Sequence, residues 1–261
     1  MEDQAYQQMQ QMQQRHWWWR GMRRLYARAL RKYLPAQPAN APRRLVDVGC
    51  GFGANLPVLS EFGEVVAVDV SLDALRAIRA NLPASKNMLL VEARADQLPF
   101  RADAFDVTAL LAVIEHVDDD ARVISESYRV TKPGGLQMQL TSAFMLLWSH
   151  HDVANEHKRR YRAKAFDALQ RAAGWHVLRT TYVNALLFPA VLIVRLLQRW
   201  QDRRGQFNAD SELEGRYDMG PALGPFAIIP EAFLAAEAWW FCNTSLPLPF
   251  GVDVFSICRH D

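Results

Sequence analysis

The chain has 261 residues, half of them hydrophobic, and a formal net charge of +2. That is enough apolar material for one large domain, or one domain with a cap. The near-balance of charge excludes a globally basic nucleic-acid binder. Three scattered cysteines, Cys50, Cys242 and Cys258, exclude a disulfide framework and show no zinc-site spacing, as suits a reduced cytoplasmic protein.

The polar opening MEDQAYQQMQQMQQ has no apolar stretch of the kind a secretory leader needs, and residues 1–14 are expected to form a disordered or frayed tail. Between Gln4 and Val46 there are nine Lys/Arg residues and no Asp or Glu. This basic arm suits an anionic ligand, a membrane surface or simply a solvated helix face. Residues 15–34 predict a helix rich in Arg and aromatics, ended by Pro35, Pro38 and Pro42. From Arg44 short apolar runs alternate with amphipathic segments. Leu45 to Val48 reads as a buried strand, Ala54 to Phe62 as a helix and Val65 to Val70 as a second strand. Ser71 is a plausible helix cap, with Leu72, Leu75, Ile78 and Leu82 as the inner face of the helix it opens. Met88 to Val91 and Phe105 to Ile114 read as strands, the latter central because it is nearly all apolar. Asp118, Asp119 and Asp120 open a helix with inner residues Val123, Ile124, Ser127 and Tyr128, stopped at Pro133, Gly134 and Gly135. Strands at Leu136–Leu140, Trp175–Val183 and Val252–Cys258, with a helix over Ala163–Ala173, complete an α/β pattern with a mostly parallel sheet. Asn184 to Leu246 breaks the rhythm: two apolar helical segments flank a polar middle from Arg203 to Asp218, too long for a structureless loop.

The first strand runs into a glycine-rich turn, LVDVGCGFG, in which Gly49, Gly51 and Gly53 allow unusual dihedrals and close approach of a ligand. Asp69 ends the second strand, twenty residues after Gly49, where a carboxylate can accept from both hydroxyls of a ribose. Asp96, in ADQLPF, can accept from an adenine amine or serve as a turn residue. A nicotinamide dinucleotide fits less well, because its fingerprint is Gly-x-Gly-x-x-Gly and the pattern here is Gly-x-Gly-x-Gly.

Together these segments resemble the class I methyltransferases, and within them the small-molecule group called methyltransferase type 11. VDVGCGFG, VVAVDVS, ADQLPF and the pair VIEHVDD with VTKPGG stand in the expected order over about ninety residues. The run from His16 to Arg20 (HWWWR) with Arg23 and Arg24, and Leu248 to Gly251 (LPFG), resemble one subset of that group. The resemblance implies a Rossmann-like α/β fold: a seven-stranded, mostly parallel sheet with a reversed last strand, an N-terminal helix, and a helical insertion before the last strand. Residues 1–43 would be the tail and basic helix, and 44–261 the methyltransferase domain, with the insertion at about 184–246. It also implies S-adenosyl-L-methionine over the carboxyl ends of the strands. Asp47, Gly49, Gly51 and Gly53 would border its methionine part. Asp69 and Val70 would hold the ribose, Asp96 and Gln97 would border the adenine, and Leu111 and Ala112 would lie beneath the sulfonium. Trp18 could close over the cofactor and Arg20 pair with its carboxylate; the alternative is that this helix only docks on the domain.

Methyl transfer needs alignment and exclusion of water, and a base only if the acceptor must lose a proton. His157 and His116 are the candidate catalytic residues, although His116 reads more readily as structural. His150, His151, Asp152 and His157 do not have common metal-ligand spacing, so no metal is expected. The expected function is methyl transfer to a small molecule, at oxygen or carbon, on a hydrophobic or lipid- or sugar-linked metabolite, with no nucleic-acid partner. The apolar helix from Asn184 to Trp200, followed by Arg203 and Arg204, suits peripheral membrane contact through residues 184–204 or a lid over a greasy pocket; with the second apolar segment from Pro225 to Phe241 it favours a hydrophobic acceptor, and the alternative is simple core packing of both helices on the sheet. A non-catalytic binder of the same cofactor is the competing class.

Overall fold

The computed structural model describes Gln13 and residues 16–36, 41–81, 88–203 and 227–261. Helix α1 (Trp17–Tyr33) precedes strand β1 (Arg44–Val48), a short α2 (Leu56–Leu59), β2 (Glu64–Asp69) and α3 (Leu72–Asn81). Then come β3 (Met88–Glu92), β4 (Phe105–Leu111), α4 (Asp120–Val130), β5 (Thr131–Ser142), α5 (His150–Ala154), α6 (Ala163–Ala172) and β6 (His176–Val183). Helices α7 (Phe188–Arg203) and α8 (Ile228–Asn243) lie between β6 and β7 (Asp253–Arg259). The seven strands form one sheet in the order β3-β2-β1-β4-β5-β7-β6. All neighbours are parallel except β7, which runs antiparallel to both β5 and β6. The reversed last strand and the paired helices before it match the expected fold class.

The chain winds outward in opposite directions from β1 and β4. Their carboxyl ends therefore diverge and open a crevice, the usual ligand position in such sheets. Two apolar layers enclose the sheet. One gathers Leu25, Leu30, Leu56, Leu75, Phe241 and Phe255; the other gathers Phe105, Ile124, Phe166 and Trp175.

Helix α1 is part of the first layer. Met22, Leu25, Tyr26, Ala29 and Leu30 recur at helical spacing and are buried. Gly21 lets α1 approach α8 closely, since a Cβ there would fall 2.2 Å from Leu234 Cδ1. Arg20 and Arg24 both bind Glu231 of α8, Arg20 through Nε at 2.9 Å and Arg24 at 3.0 Å. Much of the basic arm is thus turned onto the protein itself.

Several local expectations shift. Helix α2 covers four residues rather than the run from Ala54 to Phe62. Leu72 is exposed, and Ala74 joins Leu75 and Ile78 on the inner face of α3; Leu82 lies outside the described residues. Strand β4 stops at Leu111, because Ala112 takes a positive φ of 61°. Helix α4 stops at Val130, before the Pro-Gly-Gly, and Tyr128 is only half-buried. Thr131 already belongs to β5, its hydroxyl tied to Ser127 O and Thr108 Oγ1 at 2.6 Å each. Residues 1–12, Pro38, Arg204 to Asp218, Pro225 and Phe226 lie outside the described residues.

Candidate active site

The crevice is a cleft of about 630 Å³ at the carboxyl ends of β1, β2 and β4, a size suited to a small-molecule ligand. Gly49, Asp69, Val70, Ala93, Asp96, Ala112, Val113 and His116 are among the residues that line it. The glycine turn is fixed by Gly49 N and Cys50 N, which donate to Val68 O at 2.8 and 3.0 Å. Gly49 has φ +71°, and a Cβ there would meet Val113 at 2.6 Å, so no larger residue fits without displacing the cleft wall. Gly51, at φ +51°, has open space where a Cβ would stand. Asp69 anchors the turn: its carboxylate accepts from Gly51 N at 2.7 Å and Ser71 N at 2.9 Å. Each carboxylate oxygen keeps acceptor capacity, so it can also receive sugar hydroxyls.

Beneath the turn lies Asp47, 1% exposed, whose Oδ2 has no hydrogen-bond partner among the described residues. Burial, reinforced by the charge of Asp69, raises its carboxyl to about 7. Asn55 Oδ1 is likewise buried without a partner. Two orphaned acceptors beside a glycine turn suit a ligand carrying an ammonium group, as the methionine part of the expected cofactor does.

The loop expected to face adenine is held from behind. Glu126 accepts from Leu98 N at 2.9 Å, and Arg129 donates to Phe100 O at 2.7 Å and Leu98 O at 3.1 Å. Asp96 lines the cleft but is gripped by Arg94 in a two-point contact of 2.8 and 2.6 Å, which holds its carboxyl below the usual range.

The opposite wall carries the histidines. Glu115 and His116 follow β4, and Lys158 N donates to Glu115 O at 2.7 Å, clamping the segment around His157 beside them. His116 lines the cleft, and its ring meets that of His157 edge-on with centroids 4.6 Å apart. His157 Nδ1 lies 2.8 Å from Asp152 Oδ1, and Arg160 binds the same carboxylate at 2.7 and 3.1 Å. Burial pushes the Asp152 carboxyl up, but the bonds from His157 and Arg160 outweigh it and bring it to about 2. An ionised carboxylate only accepts, so Nδ1 of His157 carries a proton and donates to Asp152. Burial lowers the pKa of His116, against the opposing charge of Glu115.

Asp69, Val70, Asp96, Gly49, Ala112 and His116 are therefore brought together in one cleft. Gly51 and Gly53 shape the turn without lining it, and Leu111 is buried behind it. Gln97 is exposed outside the lining. Trp18 packs on the apolar layer, and Arg20 is engaged by Glu231 rather than reaching the cleft. His157 stands behind His116. Sequence reasoning missed Arg94, Asp118, Asp119 and Lys158 in the lining, and the supports Glu126 and Arg129. The i,i+3 pairing of Glu126 with Arg129 was the available signal for those supports.

Comparison with known proteins agrees with the fold. The family model described as "Methyltransferase domain" matches residues 46–138. A demethylmenaquinone methyltransferase from Streptomyces avermitilis is 34% identical over 116 residues, 44% of this chain and 48% of the relative. A ubiquinone biosynthesis O-methyltransferase from Methylococcus capsulatus is 33% identical over 110 residues, 40% of this chain and 45% of the relative. The chain thus spans about half the length of these curated relatives. Among solved structures, an S-adenosylmethionine-dependent methyltransferase from Mesorhizobium loti superimposes with a TM-score of 0.53 at 17% identity, over 90% of this chain and 95% of that one. Residues 46–138 thus match the model of a methyltransferase domain, and the chain has the fold of the S-adenosylmethionine-dependent methyltransferase from Mesorhizobium loti.

Proposed function

We propose that the protein transfers a methyl group from S-adenosylmethionine to a hydrophobic small molecule, at oxygen or carbon. The observation that carries this reading is the juxtaposition in one cleft of Asp69, with the orphaned Asp47 beneath the adjoining turn, and His116, backed by His157. The cofactor supplies a methyl carbon already activated by its sulfonium. Asp69 binds the ribose hydroxyls and Asp47 faces the ammonium group. The loop from Asp96 to Phe100, braced by Glu126 and Arg129, borders the base. Ala112, at the end of β4, leaves the wall small where the transferred group must pass. His116, which burial keeps toward its neutral form, offers a nitrogen lone pair at the cleft wall for a departing acceptor proton, and His157 backs it. The two relatives described above act in quinone biosynthesis by name. Incubation of the protein with methyl-labelled cofactor and a metabolite extract should label an apolar product. Donor binding without any labelled product would instead favour a non-catalytic sensor.

A peripheral membrane role in acceptor capture is part of the same proposal. Ile193, Val194, Leu196, Leu197 and Trp200 of α7 are each 48–59% exposed, an unusual run of apolar surface. Among the described residues no helix is long and apolar enough to cross a membrane. The protein should float with anionic liposomes, and replacing Leu197 and Trp200 by Ser should abolish flotation. Recovery of the parent protein wholly in the unbound fraction would refute the membrane contact.

A further inference from the structure

Glu115 is a carboxylate with an unusual environment. It is 1% exposed, yet among the described residues no ion pair reaches it. Its oxygens accept only from Thr141 Oγ1 at 2.8 Å and Ser142 Oγ at 3.5 Å. A carboxylate taken out of water without a cation is costly. The groups beside it are His116 and His157, and one ligand atom from each of the three residues lies within 4.8 Å of the others. Tetrahedral ligands on zinc stand about 3.3 Å apart, so a small inward movement of the side chains closes the set.

The surroundings are built as a cation site requires. Asp152 holds Nδ1 of His157 at 2.8 Å, the outer carboxylate that commonly fixes the tautomer and ring direction of a metal-ligating histidine. Asp152 is itself fully buried and fixed by Arg160, and Ser149 N donates to it at 2.9 Å. The two ligand-bearing segments are tied by Lys158 N to Glu115 O. His116 lines the cleft, which leaves a coordination position open toward an acceptor.

We propose that Glu115, His116 and His157 bind one divalent transition cation, with zinc as the best match to a two-histidine, one-carboxylate set, and that it holds the acceptor's oxygen at the cleft wall. The cation site itself does not depend on the methyl-transfer reading; only its use does. In the loaded protein the two histidine nitrogens are ligands and no longer proton acceptors. A cation held there would lower the pKa of the acceptor hydroxyl, whose proton would pass to solvent water through the cleft before the oxygen takes the methyl group from the sulfonium.

The test is zinc binding to the full chain after stripping with chelator, read by equilibrium dialysis with metal analysis. About one equivalent should bind with sub-micromolar affinity. His116→Ala and Glu115→Gln should each weaken binding by at least about tenfold, and Asp152→Asn by roughly tenfold. Should the buried Glu115→Gln variant lose its native circular dichroism, His116→Asn serves alone, since that ring faces the cleft. Asp69→Ala should bind zinc like the parent protein, so loss of donor binding and loss of metal binding are separable. No stoichiometric zinc, or zinc held equally by the His116 variants, overturns the proposal.

Discussion

Replacing Asp69 by Ala should weaken binding of S-adenosylmethionine and its demethylated product by about 10²–10³-fold. The side chain does two things at once. In the proposed complex it offers oxygens to the two ribose hydroxyls, and in the protein it accepts from Gly51 N and Ser71 N, which set the shape of the glycine turn. Hydrogen bonds to a charged group contribute about 1.5–3 kcal/mol each, and each 1.4 kcal/mol is about tenfold in affinity. Loss of two such bonds corresponds to about 10²–10⁴-fold, and water replacing the carboxylate brings the expected value to the lower half of that range. Asp69→Asn keeps one acceptor oxygen and should fall between. Calorimetric titration with the product would measure both. An Asp69→Ala protein with near-normal affinity would mean that the ribose is held elsewhere.

Asp47→Asn should stabilise the protein above neutral pH while weakening the cofactor. The folded carboxyl sits at about 7, against 3.8 for the free group, because it is buried and close to Asp69. The folded state therefore holds a proton between these two values that the unfolded state has lost. Stability from this group is complete below about pH 4, falls as pH rises through about 7, and is level above it. Three units correspond to at most about 4 kcal/mol, and the realised penalty is on the order of 1–4 kcal/mol. The neutral amide escapes it, so the Asn variant should gain thermal stability at pH 8 and none near pH 4. Asp253 is likewise buried and raised to about 7, so part of the decline remains in the variant. Binding should show the opposite trend. A ligand ammonium compensates ionised Asp47, so affinity of the parent protein for the demethylated product should rise between about pH 5.5 and 7.5 with release of a proton, and the variant should lose this dependence. An Asp47→Asn protein that is less stable at pH 8, or that binds with the parent's pH profile, would contradict this account of the orphaned oxygen.

The sheet and the cofactor end of the cleft were legible in the sequence because both rest on local signals. Apolar runs ending in LVDVG and VVAVD place strand ends, and strand ends place Asp47, Gly49 and Asp69. At the other end His116 and His157 stood out singly, but their meeting was not legible. They are far apart in the chain, and bonds such as Lys158 N to Glu115 O and Arg159 to Asp118 O bring their segments together. The spacing of His151 to His157 argued against a metal, and the burial of Glu115 beside His116 and His157 is something no single-sequence pattern reveals. The basic arm misled in a different way. Arg20 reads as a partner for a ligand carboxylate, whereas the distant Glu231 on α8 takes both it and Arg24. Charge counts locate the cations but not their partners. Helix boundaries moved for physical reasons of the same tertiary kind, as where the Thr131 hydroxyl bonds to Thr108 and draws that residue into β5.

The most direct test of the central claim is a crystal structure of the full chain with S-adenosylhomocysteine. The expected result is the adenosine in the cleft between the β1 and β2 ends, both sugar hydroxyls within hydrogen-bond reach of Asp69, and the amino group facing Asp47. A nucleoside bound at another surface, or a cleft left empty at saturating ligand, would contradict it.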